Sequence, residues 1–249
     1  MMLWISLLVA CSGGGSDSGG DGTAEGRERD PAASFALIEL YTAQSLDSAL
    51  AVEDWLRAEV DPQKRVFAIA WHISAFDDQK GWADTLAEAS FDNRHGDETR
   101  RLGLGLTAPL AVINGTGALT GELSQQGLSD LINDGLDESI SVGITAWPGE
   151  VDGDELSVDV EVVDAPDNAD LHVVLVEDGT SVSPDAGQTA GQTFTNDYAA
   201  RDWRDAFPID TDTVEMDTSG VDLSNASIVA FVQDSDSGAI IGATAAEVE

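Results

Sequence analysis

The chain has 249 residues, 42% hydrophobic and 23% charged, enough to bury a sizeable core in one large domain or two modest ones, which excludes wholesale disorder. Lys+Arg 11 against Asp+Glu 47 gives a formal net charge of −36, a surface that repels phosphate backbones and excludes nucleic acid as a partner. The single cysteine, Cys11, excludes any intramolecular disulfide.

The first segment, Met2 to Ala10 (MLWISLLVA), is apolar but far short of the roughly 20 residues a membrane-spanning helix needs. An apolar run closed by a small residue reads instead as a signal peptide. Its ending, Leu8-Val9-Ala10-Cys11, resembles the lipobox of bacterial lipoproteins. The resemblance implies that Cys11 is lipidated and becomes the mature N-terminus, and Ser12 after it resembles an outer-membrane sorting pattern. No Lys or Arg precedes the apolar run, which a true start upstream of Met1 would account for. Ser12 to Asp30 is Gly/Ser/Asp-rich, a flexible coil with a reach of about 25 Å. Residues 1–11 are thus expected to be signal peptide and lipobox, and residues 12–33 an acidic linker. The expected address is the bacterial cell envelope, anchored to the outer rather than the inner membrane.

From Ser34 the pattern becomes regular. Phe35 to Leu40 reads as a buried strand; Ser45 fits an N-cap with Asp47 in the first turn of a helix reaching Ala58. Val66 to Trp71 reads as a second buried strand, followed by a helix from Asp84 to Leu102 that Gly103 ends. Pro109 precedes a strand from Leu110 to Ile113. Asn114-Gly115 then offers a type I′ turn into Thr116 to Thr120, and a helix from Ser124 to Leu136 closes the block. The order β-α-β-α-β-β-α, with a proline at the mouth of the third strand, is that of a thioredoxin-like α/β domain, expected over residues 34–138.

Three spaced segments resemble the secreted thioredoxin-like family known as domain of unknown function 1223. Glu39 to Glu53 aligns without a gap to the family's first motif; Trp71 to Asp77 with Gly81 to Asp84 matches the second, and Ala108 to Gly115 the third. Where that first motif carries its C-x-x-C cysteines, this chain has Leu46 and Ala49. Thiol exchange needs a thiolate with a lowered pKa and a second, resolving thiol, and these two side chains supply neither. Thiol–disulfide oxidoreductase activity is therefore expected to be absent. The resemblance also implies a cis Pro109 shaping a groove for an extended peptide, with Ser45, Ala108, Pro109 and Trp82 as its candidate lining.

Other chemistry is sparsely supported. Ser45 is a candidate nucleophile, with capping as its simpler role. His72, at the end of a buried strand, and Asp77 form a candidate polar site for a non-thiol enzyme, or a pair that fixes a loop. His95 sits in a polar helical stretch and is expected to be solvated; His172 is expected on a strand face. Scattered histidines and no available cysteine ligand give no zinc site, and no metal ligands are assigned. Acidic turns at Asp152-Gly153-Asp154, Asp210-Thr211-Asp212 and Asp234-Ser235-Asp236 carry oxygen ligands for calcium but lack EF-hand spacing.

After Leu136 short alternating runs follow: Ile140 to Trp147, Leu156 to Val163, Leu171 to Val176, Ser227 to Val232 and Ala239 to Ala245. They predict an all-β domain, antiparallel sheet or small sandwich, over residues 139–249. Within it, Gly187, Ala190, Gly191 and Arg201 resemble a later family segment, otherwise read as a long connection. The leading expectation is a redox-inactive envelope lipoprotein that binds an exported polypeptide or envelope partner. Its alternatives are an enzyme centred on His72, Asp77 and Ser45, and a calcium-stabilised structural module. Lysine is confined to Lys64 and Lys80, and acidic excess of this kind is the pattern of surfaces kept soluble in brine.

Overall fold

A computed structural model describes residues 33–77, 81–121, 123–138 and 142–248; Cys11 and nearly all of the linker lie outside them. The molecule is mixed α/β, built on one large sheet with few helices. Strands β1 (Ala36–Thr42) and β2 (Val66–His72) pair in parallel from Ala36↔Val66 to Thr42↔His72. Every residue in both is buried, because both faces of the sheet are covered here, and the sequence answers with continuous rather than alternating apolar runs. Strand β3 (Leu110–Ile113) runs antiparallel to β1, and β4 (Gly117–Thr120) follows through a turn in which Asn114 and Gly115 both have left-handed dihedrals, φ 48° and 70°. The type I′ expectation rests on that same demand for positive φ.

Among the described residues three α-helices connect these strands: α1 (Ala49–Glu59), α2 (Ala89–Arg101) and α3 (Gln125–Leu136). Ser124 caps α3, its hydroxyl accepting from the Gly127 N–H at 3.1 Å. The other two helices start later than the sequence suggests. Ser45 is not a cap; two consecutive turns, Ala43–Leu46 and Leu46–Ala49, precede α1. Asp84 is not in α2 either, because its carboxylate is committed to a loop, accepting from the backbone N–H groups of Gln44 and Leu86.

The later strands are β5 (Gly143–Asp152), β6 (Glu155–Val163), β7 (Ala169–Glu177), β8 (Thr180–Val182), β9 (Phe194–Asn196), β10 (Ala199–Pro208), β11 (Thr213–Asp217), β12 (Ala226–Asp234) and β13 (Ile240–Glu247). A three-stranded sheet, β11-β6-β5, stands alone. Strands β8 and β9 pair with each other, and the remaining four, β13, β12, β7 and β10, continue the first sheet in the order β13-β12-β7-β10-β2-β1-β3-β4. The junction is parallel and short, Ala199 opposite Ala70, with the Ala70 N–H donating to Tyr198 O at 2.7 Å. Local pattern changes at 138/139, but the hydrogen-bonded sheet runs across that point.

Side-chain alternation then divides the core. One face carries a single cluster from Leu37, Tyr41, Ile69 and Trp71 through Val174 and Phe231 to Ala243, covered by Phe91 of α2. The opposite side chains pack in two groups. Ile38, Leu40, Ala68 and Ile113 meet Val52 and Leu56 of α1 and Leu128 and Ile132 of α3. Leu171, Val173, Ile228 and Ala230 meet Leu156, Val158 and Met216 of the small sheet, forming a local sandwich.

Candidate functional site

The positions that would hold the family's two cysteines lie between β1 and α1, with Ala49 the first residue of that helix. Leu46 is 6% exposed and Ala49 0%; both belong to the apolar cluster on the α2 face. Ser45 and Pro109 are buried as well, Ala108 and Trp82 half-buried, and the Ala108–Pro109 peptide bond is cis. Gln44 ties the turn to its surroundings. Its N–H donates to Asp84 Oδ2 (2.7 Å), its side-chain oxygen accepts from Trp82 Nε1 (3.4 Å), and its carbonyl accepts from the Thr189 hydroxyl (2.9 Å). Thr189 is fully buried in the connection between β8 and β9, and that connection approaches the next loop as well, at Gly187 beside Gly81. The chain's own 183–193 segment thus docks on the turn that precedes α1.

Behind that turn lies a polar network. His72, opposite Thr42 in the β1–β2 register, points Nδ1 at Asp84 Oδ2, 2.9 Å away. Asp84 also accepts two backbone N–H groups, and its own N–H donates to Asp77 Oδ2 at 3.0 Å. Burial opposes a charge on His72, but the charge and hydrogen bond of Asp84, aided by Glu53, outweigh it and raise the imidazole pKa. Glu53 of α1 accepts from the Thr42 hydroxyl; burial, reinforced by the Asp84 charge and opposed by His72, pushes its carboxyl up to about 7. Asp77 is raised by burial too, against the Asp84 N–H and the Ser45 hydroxyl. The structure therefore brings Ser45, His72 and Asp77 into one neighbourhood, while the direct partner of His72 is Asp84.

The group can hold and share protons, with Asp84 fixing the imidazole orientation, as a general base requires. His72 has no solvent exposure and Glu53 only 4%, so both lie beneath the surface in this conformation. Sequence reading missed Glu53 and Asp84 as members. Asp84 was within reach, since it closes the family-like Gly81-Trp82-Ala83-Asp84 segment. Glu53 reads as an ordinary helix-surface acid.

His95 departs from expectation. It is buried on α2, its Nε2 within 2.8 Å of Thr107 O and its ring 5.1 Å from Tyr41, and burial lowers its pKa. His172 lies in β7 as anticipated. Among the described residues no three His, Cys, Asp or Glu side chains are grouped to hold a metal. The Asp234 carboxylate accepts from Ser237 and Asn168, and Asp152-Gly153-Asp154 forms the hairpin turn between β5 and β6. No helix among the described residues is long and apolar enough to cross a membrane.

A family model described as protein of unknown function (DUF1223) matches residues 37–233, from β1 into β12 and across both blocks of the sequence. The chain belongs to this family. It is a member in which Leu46 and Ala49 stand at the C-x-x-C positions. Among solved structures it is similar to protein AGR_C_4864 from Agrobacterium tumefaciens, with 22% identity and a TM-score of 0.65 over 87% of this chain and 96% of that one. A domain of the outer membrane lipoprotein Omp28 from Porphyromonas gingivalis is more distant, at 19% identity and a TM-score of 0.27 over 43% of this chain and 88% of that one. No curated protein matches.

Proposed function

We propose that this chain is a lipid-anchored envelope protein on a thioredoxin-like scaffold, and that it works by binding a polypeptide partner without thiol exchange. The scaffold reading is supported by the strand order β2-β1-β3-β4 with helices packed on both faces, and by a cis proline opening β3. The anchor reading is supported by the Leu8-Val9-Ala10-Cys11 sequence and the linker behind it.

The carrying observation is the filled redox position: two buried hydrocarbon side chains, with the Thr189 hydroxyl fastened to the turn beside them. A thiolate at Ala49 would sit at the first residue of α1, where the helix dipole lowers its pKa. Leu46 and Ala49 leave that field without a group to act on. An extended peptide would reach Ala108 and Trp82 by competing with the 183–193 segment for the groove.

An insulin-reduction assay tests the redox half, the purified chain giving no turbidity above the dithiothreitol blank. The Leu46→Cys/Ala49→Cys variant tests the cover. Its thiols should react with a chromogenic disulfide at least 10-fold more slowly than those of the same variant carrying Thr189→Ala. Reduction by the unaltered chain overturns the redox reading, and equal thiol rates overturn the role given to Thr189.

A further inference from the structure

A second polar centre lies at α2, β7, β10 and β12, and the reading above makes no use of it. Arg94 of α2 is 5% exposed, with Nε donating to the buried Glu39 at 2.6 Å. Its guanidinium stands 5.2 to 5.5 Å from the ring centroids of Trp71, Trp203 and Phe231, an aromatic cage of the kind that holds cations. His172, 6% exposed, stacks on Phe231 with centroids 4.7 Å apart and planes 9° from parallel. Burial and the Arg94 charge hold its pKa well down, so the imidazole is neutral.

Arg94, His172 and Trp203 line one cavity of about 270 Å³. Each brings a buried nitrogen with no hydrogen-bond partner among the described residues: Arg94 Nη2, His172 Nδ1 and Trp203 Nε1. The arginine and indole nitrogens can only donate, so the complement they call for is an oxygen acceptor. The mouth has the opposite character, with Asp170, Asp205 and Asp234 among its lining and the one other arginine, Arg101, held by Glu98.

These features select a ligand by elimination. A plain anion would meet the acidic mouth, and a plain cation would leave the buried donors without an acceptor. A molecule with both charges a few bonds apart satisfies the two ends together. We propose that this cavity binds a small zwitterion of the α-amino-acid class, its carboxylate on Arg94 and Trp203 and its ammonium among Asp170, Asp205 and Asp234. The site shares no residue with the turn before α1.

The test uses the full chain labelled with nitrogen-15. The Trp203 indole N–H resonance, assigned by its disappearance in Trp203→Phe, is followed through titrations at fixed ionic strength. L-alanine should move it saturably. L-alaninamide, which lacks the carboxylate, and N-acetyl-L-alanine, which lacks the ammonium, should bind at least 10-fold more weakly. Arg94→Lys, which keeps the charge but loses Nη2, should abolish the shift. Should that variant fail to fold, the exposed Asp205→Asn should still weaken L-alanine at least 3-fold. An unmoved resonance overturns the proposal, as does equal binding of either single-charge probe or an Asp205→Asn chain that binds as tightly as the unaltered one.

Discussion

Glu53 and His72 give the protein a pH dependence whose sign follows from their environments. Glu53 titrates at about 7 when folded against an ordinary value of 4.5, so between those values the folded chain holds a proton that the unfolded chain has released. Stability from this group therefore falls as pH rises from about 4.5 to about 7. His72 is raised above its ordinary 6.5, so its contribution is complete below that value and is lost as pH rises through the folded pKa. Both push the same way, and the melting temperature should decline from pH 5 to pH 8. Glu53→Gln keeps an acceptor for Thr42 and removes the titration. At pH 8 it should be more stable than the unaltered chain by about 1–3 kcal/mol, and near pH 4.5 the two should coincide. Parallel melting curves across this range would show that the Glu53 carboxyl is not shifted.

At the scale of elements, the turn between β3 and β4 is also a joint between the two blocks of the sequence. Asn114 O accepts from the Ile240 N–H at 3.0 Å, and Arg101 donates to Gly115 O. A Cβ at Gly115 would lie 2.1 Å from Gly238 O, in a backbone conformation that already disfavours side chains. Gly115→Ala should cost about 2–4 kcal/mol from overpacking plus left-handed strain. Gly121→Ala, with φ 79° and open space around it, should cost only the strain, about 1–2 kcal/mol. Denaturant titration of the two variants separates close approach from conformation, and equal losses would remove the docking argument. The turn itself was legible, because Asn-Gly announces positive φ. So were β1, β2 and β3, whose largely apolar, non-alternating runs fit a sheet covered on both faces. Strand β10 was not, since Arg201, Asp202, Arg204 and Asp205 break any alternation and its pairing with β7 shifts register twice. The Arg94 cage was equally hidden. Its members come from β2, α2, β7, β10 and β12, and only the missed strand brings Trp203 to them.

Charge acts on the whole molecule. The net −36 is spread over a surface with few cations, and Arg94 and Arg101 are tied up in or beside the cavity. A concrete case is the exposed row Asp152–Glu155–Asp217, where β5, β6 and β11 place three acids directly opposite one another. Like charges in that position destabilise a sheet by a fraction of a kcal/mol per pair. The Debye length falls from about 10 Å at 0.1 M salt to about 3 Å at 1 M, so repulsion between neighbouring strands is only then well screened. The melting temperature should therefore rise between 0.05 M and 1 M sodium chloride, by about 2–4 °C for each kcal/mol of repulsion relieved. Potassium chloride should give the same rise, because screening depends on ionic strength and not on a bound ion. Glu155→Lys isolates the local share: it turns two repulsive pairs into attractive ones, stabilising by about 0.5–1 kcal/mol at 0.05 M salt. That gain should shrink to near zero at 1 M. A gain that persists at high salt would assign it to packing or strand propensity, and a midpoint indifferent to salt would mean that the acidic surface carries no cost to the fold.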